Sequence, residues 1–166
     1  MNICDLMTKT VVTVNMDDRL GTVKELFDRL KFHHLLVVES GKLVGVVSDR
    51  DLLKALSPRL GTLSESEKDT ATLSKRVHQV MIRSPISLRP EDSVRDAVNV
   101  FNMHGISCIP IVNIDLQPVG IVSWRDILKS LASRLQDDYN PAIDGGGADA
   151  LVSAGPHGRN PALAAS

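Results

Sequence analysis

Residues 45–56 read GVVSDRDLLKAL, and residues 120–131 read GIVSWRDILKSL. A shift of 75 makes eight of these twelve positions identical: Gly45 with Gly120, Val47 with Val122, Ser48 with Ser123, Arg50 with Arg125, Asp51 with Asp126, Leu53 with Leu128, Lys54 with Lys129 and Leu56 with Leu131. Self-similarity of this kind marks a duplicated structural unit. Upstream the shift becomes 74, pairing Met7 with Met81, Asp18 with Asp92, Phe27 with Phe101 and Val38 with Val112, so one residue is inserted near Asp115. Two copies of one unit then occupy 1–60 and 75–135, separated by a polar linker over 61–74.

Each copy shows the same order of elements. A strand over 11–14, or 86–88 in the second copy, leads to an acidic turn, Asp17-Asp18 or Glu91-Asp92. Such side chains start a helix by accepting its unpaired N–H groups and complementing its dipole. Leu20, Val23, Phe27 and Leu30 then recur at helical spacing, as do Val94, Ala97, Val98 and Phe101. Gly105 supplies a left-handed cap to the second helix, and Lys31 stands in the equivalent place in the first. Two strands follow, at 35–38 and 43–47 and again at 109–112 and 119–122, joined by hairpin turns at 39–42 and 113–118. They are apolar throughout, as a sheet covered on both faces requires. A last helix covers 50–56 and 125–135. The expected unit is an α/β fold of order β-α-β-β-α, too small to bury its sheet alone, so the two copies pack together. Within the remaining tail over 136–166, five Gly, three Pro and seven Ala without periodicity predict disorder.

Composition narrows the function. Hydrophobic residues make up 43% but aromatics only 3%, so Val, Leu and Ile build the core and stacking platforms for single-stranded nucleic acid are scarce. A net charge of −1 gives no field for nucleic acid or an anionic membrane. No apolar run approaches the ~20 residues of a membrane span. MNICDLMTKT lacks the apolar stretch of a signal peptide, so a cytoplasmic location is expected. Cys4 and Cys108 offer no disulfide framework, and Cys108, within ISCIPIV, reads as a small buried hydrophobe. His33 and His34 are adjacent and should point to opposite faces, while His78, His104 and His157 are isolated, so no metal site is expected. No nucleophile motif, phosphate-binding loop or dinucleotide fingerprint is present, and no enzyme activity is expected.

The chemistry gathers at the repeated Ser-x-x-Asp. Ser48 with Asp51, and Ser123 with Asp126, stand between a strand and a helix. One reading is a capping box, in which serine and acid satisfy the helix's orphan N–H groups. The other uses the same geometry for a ligand: the helix start attracts a phosphate, and the carboxylate accepts hydrogen bonds from ribose hydroxyls. Gly45 and Gly120 nearby would let a ligand approach the backbone. Arg50 and Arg125, in the first helical turn, are either phosphate contacts or solvated charges.

The duplicated pattern, an apolar strand with Gly followed by Ser-x-Arg-Asp and preceded by a β-α-β unit, resembles the tandem cystathionine β-synthase (CBS) domains of a Bateman module over about 1–135. The resemblance implies two CBS repeats packed with pseudo-twofold symmetry around two clefts. It implies an adenosine-type regulatory ligand, AMP, ADP or ATP, or else S-adenosylmethionine or a dinucleotide, and no cofactor. It puts Ser48, Asp51, Ser123 and Asp126 at ribose- and phosphate-facing positions. Thr10 and Val12, with Ser84, Pro85 and Ile86, match the adenine-facing segment, and His34 and Leu35, with Ile109 and Pro110, match the other wall. A stand-alone regulatory module follows, homodimeric through the final helices, signalling to an unidentified protein. The alternative is a structural dimerisation module without ligand. The first copy lacks the proline that often follows the family's wall histidine, the second lacks the histidine, and Trp124 replaces Asp49, so the clefts are not equivalent. Asp126, whose copy keeps Pro110 and Ser84-Pro85, is expected to matter more than Asp51.

Overall fold

The apolar runs of each copy pair as hairpins, and the amphipathic runs fold over them. The first copy forms β1 (Thr13–Asn15), α1 (Leu20–Leu30), β2 (His34–Glu39), β3 (Lys42–Ser48) and α2 (Asp49–Ala55). A short helix, α3 (Glu67–Ala71), stands between the copies. The second copy forms β4 (Ile82–Arg83), α4 (Val94–His104), β5 (Cys108–Val112), β6 (Pro118–Ser123) and α5 (Trp124–Asp138). The structure, a computed structural model, describes residues 1–30 and 32–138; the cap assigned to Lys31 and the tail beyond Asp138 lie outside the described residues. Helix α5 runs three residues into the stretch assigned to the tail.

The first sheet has the order β1-β2-β3-β4, with β1 parallel to β2 and the other pairs antiparallel. Ser40 (φ 50°) and Gly41 (φ 77°) turn β2 into β3 with the two positive φ angles of a type I′ hairpin. The second sheet repeats this order with both edges reduced to single bridges. Leu88 pairs in parallel with Ile111 of β5, and Thr8 pairs antiparallel with Ile121 of β6. The strand expected over 86–88 therefore shrinks to Leu88. Pro85 and Pro90, on either side, cannot donate to a ladder.

Strand alternation divides the core. Leu35, Val37 and Val47 pack beneath Leu20, Val23 and Phe27 of α1 and Leu52 of α2. Ile109, Ile111 and Val122 pack beneath Ala97 of α4. The opposite faces meet each other: Leu36 and Val46 of the first sheet join Cys108 and Ile121 of the second in one cluster. Each sheet thus has helices on one face and the other sheet on its second face, which is why its strands are apolar throughout.

The segments preceding each first strand are exchanged. Ile3, fully buried, belongs to the second copy's core, and its N–H donates to Asp92 O (2.9 Å). Val77 and Met81 belong to the first copy's core, and β4 pairs with β3. The packed halves therefore differ from the linear halves.

The linker over 61–74 holds structure that its polarity concealed. Asp69 closes a capping box on α3, accepting from Ser66 N–H (2.8 Å) and Ser66 Oγ–H (2.6 Å), and takes a third bond from Ser57 Oγ–H (2.6 Å). The hydroxyls of Ser57 and Ser66 hold its carboxyl below the usual range. Helix α4 ends as its sequence dictates, with Gly105 at φ 61° donating to Phe101 O (3.1 Å).

Candidate functional site

Both strand-to-helix turns close through the same carboxylate geometry. Asp51 Oδ2 accepts from Ser48 N–H (3.0 Å) and Ser48 Oγ–H (2.6 Å), and Asp51 N–H donates back to Ser48 Oγ (3.2 Å). Asp126 Oδ2 accepts from Ser123 N–H (2.8 Å) and Ser123 Oγ–H (2.6 Å). The capping box is complete at Ser48 and Asp51, while at Ser123 and Asp126 the structure shows its carboxylate half. Capping does not compete with the ligand reading, because Oδ1 of each aspartate takes no protein hydrogen bond among the described residues. One oxygen holds the turn and the other can accept from a hydroxyl.

A cleft of about 610 Å³ opens between the copies. Its base is Thr10, Val11, Val12, His34 and Leu36 of the first copy, with Ser107 and Cys108 of the second. The two turns form its rim: Ser48, Asp49 and Arg50 on one side, Ser123, Trp124, Arg125 and Asp126 on the other, with Lys129 one turn further along α5. The structure therefore gathers Thr10, Val12, His34, Ser48, Arg50, Ser123, Arg125 and Asp126 from among the sequence-derived candidates. Asp51, Ser84, Pro85, Ile86 and Pro110 are not among the residues lining it.

Three expectations need correction. Leu35 and Ile109 are not walls: strand alternation turns both into the helix-facing cores, and their neighbours His34, Leu36 and Cys108 face the cleft. Asp126 does not share this cleft with Pro110 and Ser84-Pro85. Residues 10–12, which follow the Thr8 bridge to Ile121, line the same cleft as Ser123 and Asp126. Walls of the first copy thus meet the Ser-x-x-Asp of the second. Finally, Gly45 and Gly120 admit a methionine rather than a ligand. A Cβ on Gly45 would lie 2.7 Å from Met81 Sδ, and one on Gly120 would crowd Met7 Sδ. These are the methionines that the 74-residue shift pairs, each packed on the other copy's strand.

Hydrogen bonds set the charge of the site. His33 Nδ1 is 2.8 Å from Asp49 Oδ2, and His34 Nε2 is 3.0 Å from Ser107 Oγ, tying the copies across the cleft base. Burial lowers the His34 pKa, with His33 and Arg125 reinforcing the shift and Asp49 and Asp51 opposing it. Burial would raise the Asp49 carboxyl, but the hydrogen bonds from His33 and the Arg50 N–H outweigh it and hold the group low. Burial pushes the Cys108 thiol up to about 12, so it stays protonated. The Arg125 guanidinium lies 5.6 Å from the ring centroid of Trp124, a cation–π distance. Among the described residues no cluster of three His, Cys, Asp or Glu can hold a metal ion, and no helix is long and apolar enough to cross a membrane.

Sequence reasoning missed Lys129, His33 and Ser107. Lys129 was legible in principle, since it follows Arg125 by four residues and shares its helix face. Ser107 carried no such signal; only the pairing of the copies brings it to His34.

Comparison with known proteins agrees with this architecture. The CBS domain family model matches residues 3–58 and 77–133. A CBS domain-containing protein of Dictyostelium discoideum is 28% identical over 133 residues, covering 79% of this chain and 91% of that one. The uncharacterized protein MJ1225 of Methanocaldococcus jannaschii is 26% identical over 129 residues, covering 77% of this chain and 46% of its own length. The chain spans less than half the length of that relative and of two further uncharacterized proteins from the same organism. Among solved structures, CBSX2 in complex with AMP superposes with a TM-score of 0.67 at 25% identity, covering 81% of this chain and 98% of that one.

Proposed function

The chain belongs to the CBS domain family, and from that premise we propose that it is a cytoplasmic regulatory module that binds an adenosine-type nucleotide between its copies and signals to a partner protein. The observation that carries this reading is the composite cleft. Its 610 Å³ lies within the ~300–1,000 Å³ range of small-molecule sites. Apolar strand residues from the first copy suit a base, and the Asp126 oxygen left over from capping suits ribose hydroxyls. The N-terminus of α5 and the nearby arginines suit phosphate. The similar CBSX2 structure holds AMP, which supports the choice of adenosine.

The cleft's own groups argue for binding rather than chemistry. The hydroxyls of Ser48 and Ser123 donate directly to the carboxylates that cap their helices, and Cys108 is a protonated, buried thiol. None of the three is an activated nucleophile. A dimerisation module without ligand is the competing reading, favoured by the exposed leucines of α5.

Thermal unfolding of the full chain with AMP, ADP, ATP, NAD, S-adenosylmethionine and cyclic dinucleotides separates the two. A ligand at 100 times its Kd adds about 2.7 kcal/mol, a rise in Tm of roughly 5–10 °C for a chain of this size. No shift with any adenosine compound leaves only the dimerisation reading.

A further inference from the structure

We infer that Met7 is a positioning residue for the cleft: seated on Gly120, it fixes where the segment forming the cleft base crosses from one copy to the other. This role rests on the adenosine reading above, because its effect is read as nucleotide affinity. Thr10, Val11 and Val12 line the cleft and belong to a strap anchored at both ends. Before them, Thr8 N–H donates to Ile121 O (2.9 Å) and Ile121 N–H donates back to Thr8 O (3.0 Å), which ties the strap to β6 of the second copy. After them, Leu36 N–H donates to Val12 O (3.3 Å) and Thr13 pairs with Leu36, which ties it to β2 of the first.

Met7 sets the end held by the second copy. Its side chain lies along Gly120, where a Cβ would come within 3.0 Å of Met7 Cγ and 3.3 Å of Met7 Cβ, and would crowd Sδ as well. Atoms from the tip of the side chain to its root are in contact. Turning the tip alone therefore does not clear an added methyl group, and the Met7 backbone has to move. Met7 precedes Thr8 and Gly120 precedes Ile121, so that movement passes into the paired backbone bonds and on to Thr10. The matching seat, Met81 on Gly45, leads instead into residues 82–86, none of which lines this cleft. The duplication thus supplies a control: two glycine seats of one design, only one of which leads to the cleft.

The test uses the full chain as wild type, Gly120→Ala, Gly45→Ala and the double variant Met7→Ala with Gly120→Ala. Isothermal titration with AMP, ATP and S-adenosylmethionine gives affinity. Acrylamide quenching of Trp124, the single tryptophan and a cleft residue, reports the cleft without ligand. Both glycine variants should melt at lower temperature, since each crowds a methionine. Only Gly120→Ala should alter Trp124 quenching and weaken the bound nucleotide, by about tenfold. Gly45→Ala should leave quenching as in wild type and affinity within about twofold. Shortening Met7 relieves the clash, so the double variant should recover most of the lost affinity, a non-additivity that general destabilisation does not produce. Where Gly120→Ala fails to fold, Met7→Leu and Met81→Leu, close in volume but branched at Cγ, make the same comparison under less strain. Unchanged affinity in Gly120→Ala, equal losses in the two glycine variants, or a double variant no tighter than Gly120→Ala overturns the role of Met7 and leaves the adenosine reading standing. If none of the three compounds binds wild type, the adenosine reading falls and Trp124 quenching decides alone. A change confined to Gly120→Ala then upholds the role, and the same response in both glycine variants, or none, overturns it.

Discussion

Asp51 and Asp126 hold the same place in the repeat and make the same bonds to serine through Oδ2, yet only Asp126 lines the cleft. That difference separates folding from binding at single residues. Asparagine keeps the shape of aspartate but loses its charge and one acceptor. Asp126→Asn should weaken nucleotide binding roughly ten- to hundredfold, because a hydrogen bond to a charged group contributes about 1.5–3 kcal/mol. Each substitution should also lose part of a cap, about 0.5–2 kcal/mol of stability. Asp51→Asn should show that stability loss with the affinity of this cleft unchanged. Calorimetry and denaturant unfolding on both variants decide it. Equal affinity losses would mean that the two aspartates serve one site, and no loss in either would reduce both to caps.

The ends of two elements meet where His34, the first residue of β2, bonds Ser107, just before β5. Burial keeps this imidazole neutral more firmly in the folded chain than in the unfolded one, where its value is about 6.5. The unfolded chain therefore takes up the proton first. The stability tied to neutral His34 is complete above pH 6.5 and is lost as pH falls toward the lower folded value. His34→Gln, which can still reach Ser107, should flatten the fall in Tm between pH 7.5 and 5; an unchanged slope would assign that fall to other groups. How much of these elements was legible depended on range. Local signals spoke clearly: the Ser-x-x-Asp turns, the Gly105 cap and the hairpin at Ser40-Gly41 all formed where the sequence put them. Ser66 and Asp69 carry the same capping signature, but the polar stretch around them has no apolar periodicity to mark a helix. Phase within a strand was harder, since a slip of one residue exchanges His34 for Leu35 and cleft for core. Contacts between distant segments left no periodic trace. Gly45 and Gly120 announced a close approach, but nothing local said that Met81 and Met7 were the groups approaching.

At the scale of the whole molecule, α5 has one end in the cleft and, among the described residues, a leucine face left exposed. Leu128 (51% exposed), Leu131 (51%) and Leu135 (60%) follow one another at helical spacing, and Leu53 of α2 is 73% exposed. Apolar stripes of this kind mark association surfaces, and a second copy of the chain is the occupant that the duplicated helices suit, α2 and α5 being equivalent elements of the two copies. The expected state is a homodimer of 18.0 kDa chains. Leu131→Glu places a charge in the middle of the stripe, far from Ser123 and the turn, and should give monomers that keep their fold and their cleft. Because one helix carries both surfaces, the two equilibria should also be linked. If nucleotide tightens the dimer by some factor, dimerisation must tighten nucleotide binding by the same factor. Sedimentation of wild type and Leu131→Glu at tens of micromolar, with and without saturating ATP, measures both effects. A wild-type monomer under every condition would remove the dimer. A dimer whose dissociation constant ignores ATP would leave it in place but deny it any part in the signal.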